Sequence, residues 1–264
     1  MKKKKGAFAA AAGLLTVAGS LEVVWRVPPP WSWMWVAIFM IGFMLALGVA
    51  ISGRVLGILI TEQNTMSLAR FQAVLWTVIV ISAFFVIALA RINHGVKPSA
   101  DGKASDPLSI TLSNELLALV GISATALVAS PLIAATKKSK NPDQNDSQVT
   151  SGDKPPGSLN VAKSEGILFK NADISAARFT DIFEGDELAN NNHVDLGKVQ
   201  MFYFTVIVAV AYIAALWSAM RGEDLYGANF TFPAFSAGAV GLLGISNAGY
   251  LANKTVDHTK QTPP

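Results

Sequence analysis

The side chains able to do chemistry in this chain are few, and most lie away from its apolar runs. His94, His193 and His258 are its three histidines, and cysteine is absent. Without thiols there is no disulfide, thiolate metal site or cysteine nucleophile. With no histidine inside an apolar run, an intramembrane haem held by two histidines is excluded. The densest acidic group is Asp181, Glu184, Asp186 and Glu187, followed by Asn190 to Asn192. Such a group can attract a divalent cation, but its spacing is not that of a calcium-binding loop, and a solvated surface or helix end accounts for it. Asp195 and His193 are the remaining polar candidates for acid–base work. No phosphate-cradling glycine loop, nucleophile elbow or HExxH motif occurs. The expectation is therefore a protein that is not an enzyme, with no catalytic residue, no metal ligand and no cofactor.

A second set of polar residues sits within apolar sequence and occurs twice. RFQAVLWTVIV at Arg70 to Val80 returns as KVQMFYFTVIV at Lys198 to Val208, an offset of 128 residues. This matches Gln72 with Gln200, Thr77 with Thr205 and Arg70 with Lys198. The following run repeats at an offset of 123, matching Ser113 with Ser236, Gly121 with Gly244 and Ser123 with Ser246. An amide or hydroxyl inside a bilayer must find a partner or face water. Gln72, Gln200, Thr77, Thr205, Ser123 and Ser246 are thus candidates for interhelical hydrogen bonds or for a polar pathway. Arg70 and Lys198, two residues before each glutamine, are placed to reach lipid headgroups. Gly121, Gly238, Gly241 and Gly244 form smooth strips that suit close helix packing. Ser113 and Ser236 are read as helix N-caps.

The elements that carry these residues are membrane helices. The chain of 264 residues is 52% hydrophobic and 15% charged, with mean hydropathy +0.41. A helix needs about 20 apolar residues to cross the hydrocarbon. Runs near 33–52, 71–90, 112–133, 201–218 and 232–252 qualify, and the second of these hairpins repeats the first in parallel topology, unlike inverted-repeat transporters. A sixth run, 6–21, follows MKKKK; an uncleaved helix is favoured there over a cleavable signal peptide. The fold class expected is all-α: a polytopic helical membrane protein of five to six spans with a duplicated transmembrane hairpin and a small cytoplasmic strand–helix element.

The expected organisation is a first segment and external turn (1–32), a second span that continues toward Ile60 with a cytoplasmic connection (33–70), and the first repeat hairpin (71–135). A disordered cytoplasmic linker (136–160), a small cytoplasmic element (161–197), the second hairpin (198–254) and a tail (255–264) follow. In the small element GILFK predicts a strand, and Asp173 predicts the cap of a helix reaching Phe183. With the amino terminus inside, 16 of the 21 basic residues lie on the inner side, so both termini are expected in the cytoplasm. The net charge of +3 is explained by membrane orientation and anionic lipid, and nucleic acid is not expected.

The phrases ARFTDIFEGDELANNNHVDLGKVQMFYFT, LLALVGISATALVASPLI and LLGISNAGYLANK resemble those of a family of bacterial multi-pass membrane proteins with repeated R/K-x-Q and L-x-G-I-S helices and no assigned activity. The resemblance implies a bacterial inner-membrane location and that the cytoplasmic element belongs to the core design. The function expected is a non-enzymatic, homo-oligomeric integral membrane protein, pore-forming or a membrane scaffold, partnered by lipid, by its own copies and by a cytoplasmic protein. The alternative is a small-solute transporter, and a membrane-bound enzyme is the weaker third.

Overall fold

A computed structural model describes residues 2–99, 101–102, 104–142 and 163–260. The part of the expected linker from 143 to 160 lies outside the described residues. Six α-helices occur among the described residues: α1 (Lys2–Arg26), α2 (Trp31–Ser52), α3 (Leu68–His94), α4 (Asn114–Lys138), α5 (Leu196–Arg221) and α6 (Ala237–Thr255). Five of them, α1 to α5, are long and apolar enough to cross a membrane. The span expected at 232–252 is corrected. Phe230 and Thr231 form a short strand, Pro233 follows, and helix begins only after the Ser236 cap. The 19 residues that remain include Ser246, Asn247, Asn253 and Lys254.

The chain forms two compact units, with boundaries inside α3, α4, α5 and α6. The first comprises Met1–Ile58, Val74–Val120 and Val206–Val240. In it α1 lies along α2, and Trp33 of α2 donates its indole N–H to Ser82 of α3 at 2.8 Å. The expected continuation of α2 to Ile60 does not occur. Gly53 takes φ +73° and closes the helix by donating to the Val49 carbonyl, a left-handed cap that a residue with a Cβ rarely adopts. Two strands, β1 (Ile110–Thr111) and β4 (Phe230–Thr231), pair in parallel. Each strand precedes the second helix of its hairpin, so the duplicated hairpins are joined through equivalent segments running in the same sense.

The second unit comprises Leu59–Ala73, Gly121–Thr205 and Gly241–Pro264. Strands β2 (Lys163–Glu165) and β3 (Leu168–Lys170) form an antiparallel hairpin, matching the strand expected from GILFK. The single helix expected after Asp173 is corrected to two 3-10 turns, Ile174–Ala176 and Phe179–Phe183. Asp173 does cap the first, accepting from the Ser175 amide at 2.7 Å. Helix cannot continue because Ala177 and Arg178 have ψ 131° and 153°. The Asp181 carboxylate instead gathers the amides of Arg178 (2.9 Å) and Met66 (3.1 Å), so a side chain competes with the helical backbone pattern. Phe179 and Phe183 of this element stand edge-on to Phe202 of α5, with ring centroids 6.5 and 5.0 Å apart. Such aromatic contacts anchor a segment too short to build a core of its own.

Candidate functional site

The charged residues of the second unit converge where α4 ends, α5 begins and α6 ends. Lys137 in the last turn of α4 is 4% exposed at its side chain and pairs with Glu187, which is 1% exposed. The Lys137 ammonium also donates to the Val256 carbonyl at 2.7 Å. The other Glu187 oxygen accepts the amides of His258 (2.9 Å) and Thr259 (2.7 Å). One residue earlier, Asp186 takes Lys198 of α5 at 2.8 Å and Lys254 of α6 at 2.7 Å. Lys198 donates in addition to the Glu184 carbonyl. Asp195 caps α5 through the Gly197 amide (2.9 Å) and accepts from Asn253 (3.2 Å).

Gly166 lets the β2–β3 turn come this close to α4. Its φ is +65°, and a Cβ there would lie 2.3 Å from the Lys137 carbonyl oxygen. A cavity of about 20 Å³ remains among Lys137, Asp186, Glu187, Tyr250, Lys254 and His258, room for about one water. Burial alone would push the Asp186 carboxyl up, but the Lys198 and Lys254 ammoniums outweigh it and hold the group well below the usual carboxylate range. Each cation here faces a carboxylate and each carboxylate is engaged by two or more donors. The arrangement fixes four segments relative to one another rather than poising a group for proton transfer. The acidic cluster expected to be solvated is thus corrected at Asp186 and Glu187, which are held inside this network.

The repeat's polar residues are brought together in part. Gln72 is 1% exposed and donates to Thr205 Oγ1, which donates in turn to the Met201 carbonyl at 2.7 Å. Their matched positions, Gln200 and Thr77, are exposed, so the two glutamines do not meet. Ser123 and Ser246 are both buried. Ser113 and Ser236 accept from the amides three residues on, at 3.3 and 3.2 Å, as expected of caps. The headgroup role read for Lys198 is corrected, because its ammonium is 5% exposed and ion-paired. Arg70 turns back to the Ile60 carbonyl at 2.8 Å. Of the glycines read as packing positions, one is set against another helix of the chain. A Cβ on Gly121 or Gly241 would meet nothing within 4 Å, and one on Gly238 only Ser236 of its own chain turn; Gly244 alone touches another helix, at Ile122. Gly121, Gly238 and Gly241 are exposed.

Arg91, in the last turn of α3, is fully buried in the first unit. Its guanidinium donates to the carbonyls of Pro107 (2.8 Å), Leu225 (2.9 Å), Gly227 (2.9 Å), Ala228 (3.2 Å) and Ser109 (3.4 Å). One planar fork thereby ties together the connections of both hairpins. No signal in the sequence marks this arginine, since backbone carbonyls carry no residue identity. Comparison with protein-family models, with curated proteins and with solved structures finds no match for the chain.

Proposed function

We propose that this protein is a non-enzymatic, homo-oligomeric integral membrane scaffold, with the charge-locked element of the second unit on the cytoplasmic side. The observation that carries the reading is the outward glycine face. Gly121, Gly241 and Gly249 have open space where a Cβ would stand, on α4, where Leu117 and Val128 are also exposed, and on α6, where Leu242 and Ile245 are. Small residues on an outward face let the helix of a neighbouring chain approach closely. The inner placement of the element rests on the excess of basic residues in and around it. Cytoplasmic partners would dock there, and anionic lipid would surround the helices.

The test is the mass of the purified full-length protein in lipid nanodiscs. A multiple of the 27.9 kDa chain is expected, shifting toward the single chain in Gly241→Leu; a strict monomer overturns the reading.

Transport of a small solute is a second reading, favoured by three buried acceptors of the second unit with no hydrogen-bond partner, Gln72 Oε1, Ser246 Oγ and Asn247 Oδ1. Buried acceptors of this kind call for water or a donor-bearing solute. Solute flux into liposomes that Gln72→Leu abolishes would establish it in place of the scaffold.

A further inference from the structure

The matched helices α3 and α5 bury opposite faces. At the 128-residue offset, α3 buries Gln72, Ile79, Ala83, Val86 and Ala90, whereas the equivalent Gln200, Ile207, Ala211, Ala214 and Ser218 of α5 are exposed. The reverse holds on the other side. Thr205, Ala209, Tyr212 and Met220 of α5 are buried, and their equivalents Thr77, Ile81, Phe84 and Ile92 of α3 are exposed. Two helices of like sequence therefore each show outward the face that the other spends on protein contact.

The polar members of these faces are complementary. Within the chain, Gln72 of the first copy bonds Thr205 of the second. The same bond generated by repeating the relation once more joins Gln200 of one chain to Thr77, the equivalent of Thr205, in a following chain. Both groups are exposed in the single chain, one an amide with two donors and the other a hydroxyl acceptor. Farther along α5 the exposed residues Ala211, Ala214 and Ser218 are small and three and four apart, the spacing that allows close approach of transmembrane helices.

We infer that the outward face of α5 packs on the outward face of α3 in a second copy of this chain, with Gln200 donating to Thr77 across the contact. The interface is head-to-tail, since the two surfaces differ, and successive chains propagate it until the rotation closes a ring. This rests on the homo-oligomeric reading and adds a second contact surface to the glycine face.

The chain has no cysteine, so pairs can be introduced without background. The full-length T77C/Q200C protein in nanodiscs, treated with a short bifunctional thiol reagent, should give a ladder of covalent multimers. T77C and Q200C chains mixed before reconstitution should give covalent dimers, and neither alone should. Dimers from either single variant would indicate like faces in contact and overturn the proposal. An oligomeric mass with no cross-link overturns this interface while leaving the scaffold reading standing; a monomeric mass overturns both. Independently, Gln200→Leu should weaken association by roughly threefold to tenfold, with normal thermal stability of the chain, and unchanged association would count against the bond.

Discussion

Glu187 is the residue on which most of the second unit's polar order depends. It neutralises Lys137, both side chains being out of solvent, and holds two successive backbone amides. Removing one member of a buried pair strands the other, at a cost of about 3–5 kcal/mol. Glu187→Gln should therefore lower the unfolding temperature in detergent sharply. Lys137→Met combined with Glu187→Met should recover part of the loss, because a shape-matched apolar pair leaves no stranded charge.

Asp186 makes a different prediction. Its carboxyl is held below the ordinary value near about 3.9, so the group contributes stability fully above that value and loses it as pH falls toward the folded one. Thermal unfolding compared at about pH 5 and pH 3 should show a smaller loss in Asp186→Asn than in the parent. An equal loss in both would remove Asp186 from the acid response.

At the scale of elements, the outcome divides by what kind of partner each residue uses. Helices α1 to α5, the Ser113 and Ser236 caps and the β3 strand were legible because apolar run length and short-range capping are written in adjacent residues. The 3-10 turns were not, since Asp181 takes the Met66 amide from a segment more than a hundred residues away. The same reason hid Lys198 and Arg91, whose acceptors are carbonyls and carboxylates brought near only by the fold. Among the connections, the β2–β3 turn is the tightest test of close approach. Gly166→Ala adds a Cβ against the Lys137 carbonyl at a left-handed φ, a strain of about 1–3 kcal/mol. Faster limited proteolysis between residues 163 and 195 is expected, with the helices left intact. Arg91→Met takes the side-chain donor from the Pro107, Leu225, Gly227 and Ala228 carbonyls, while Ser109 keeps the Phe230 amide, and the connections 95–109 and 222–236 should become the first sites of cleavage in that variant.

At the scale of the whole molecule, the duplication was readable from the sequence while its use was not. Equal residues at equal spacing suggest equal roles, yet Gln72 is enclosed and Gln200 faces out. Periodicity gives the existence of a face, and only the fold says which neighbour covers it. The proposed ring is a property of several chains, so it should respond to dilution. Lowering the protein-to-lipid ratio about a hundredfold should release monomers reversibly, followed by single-molecule photobleaching in vesicles.

The opposed faces of α3 and α5 also bear on how the two copies have drifted. Each of the positions set out above is buried in one copy only, so its twin was free to change if it met nothing but lipid tails. Gln200, Ile207 and Ala211 nevertheless remain identical to Gln72, Ile79 and Ala83. The proposed contact between copies accounts for their retention on an outward surface. A saturation scan of α5 scored in living cells should find these three positions less tolerant of substitution than Val210 and Ile213 beside them.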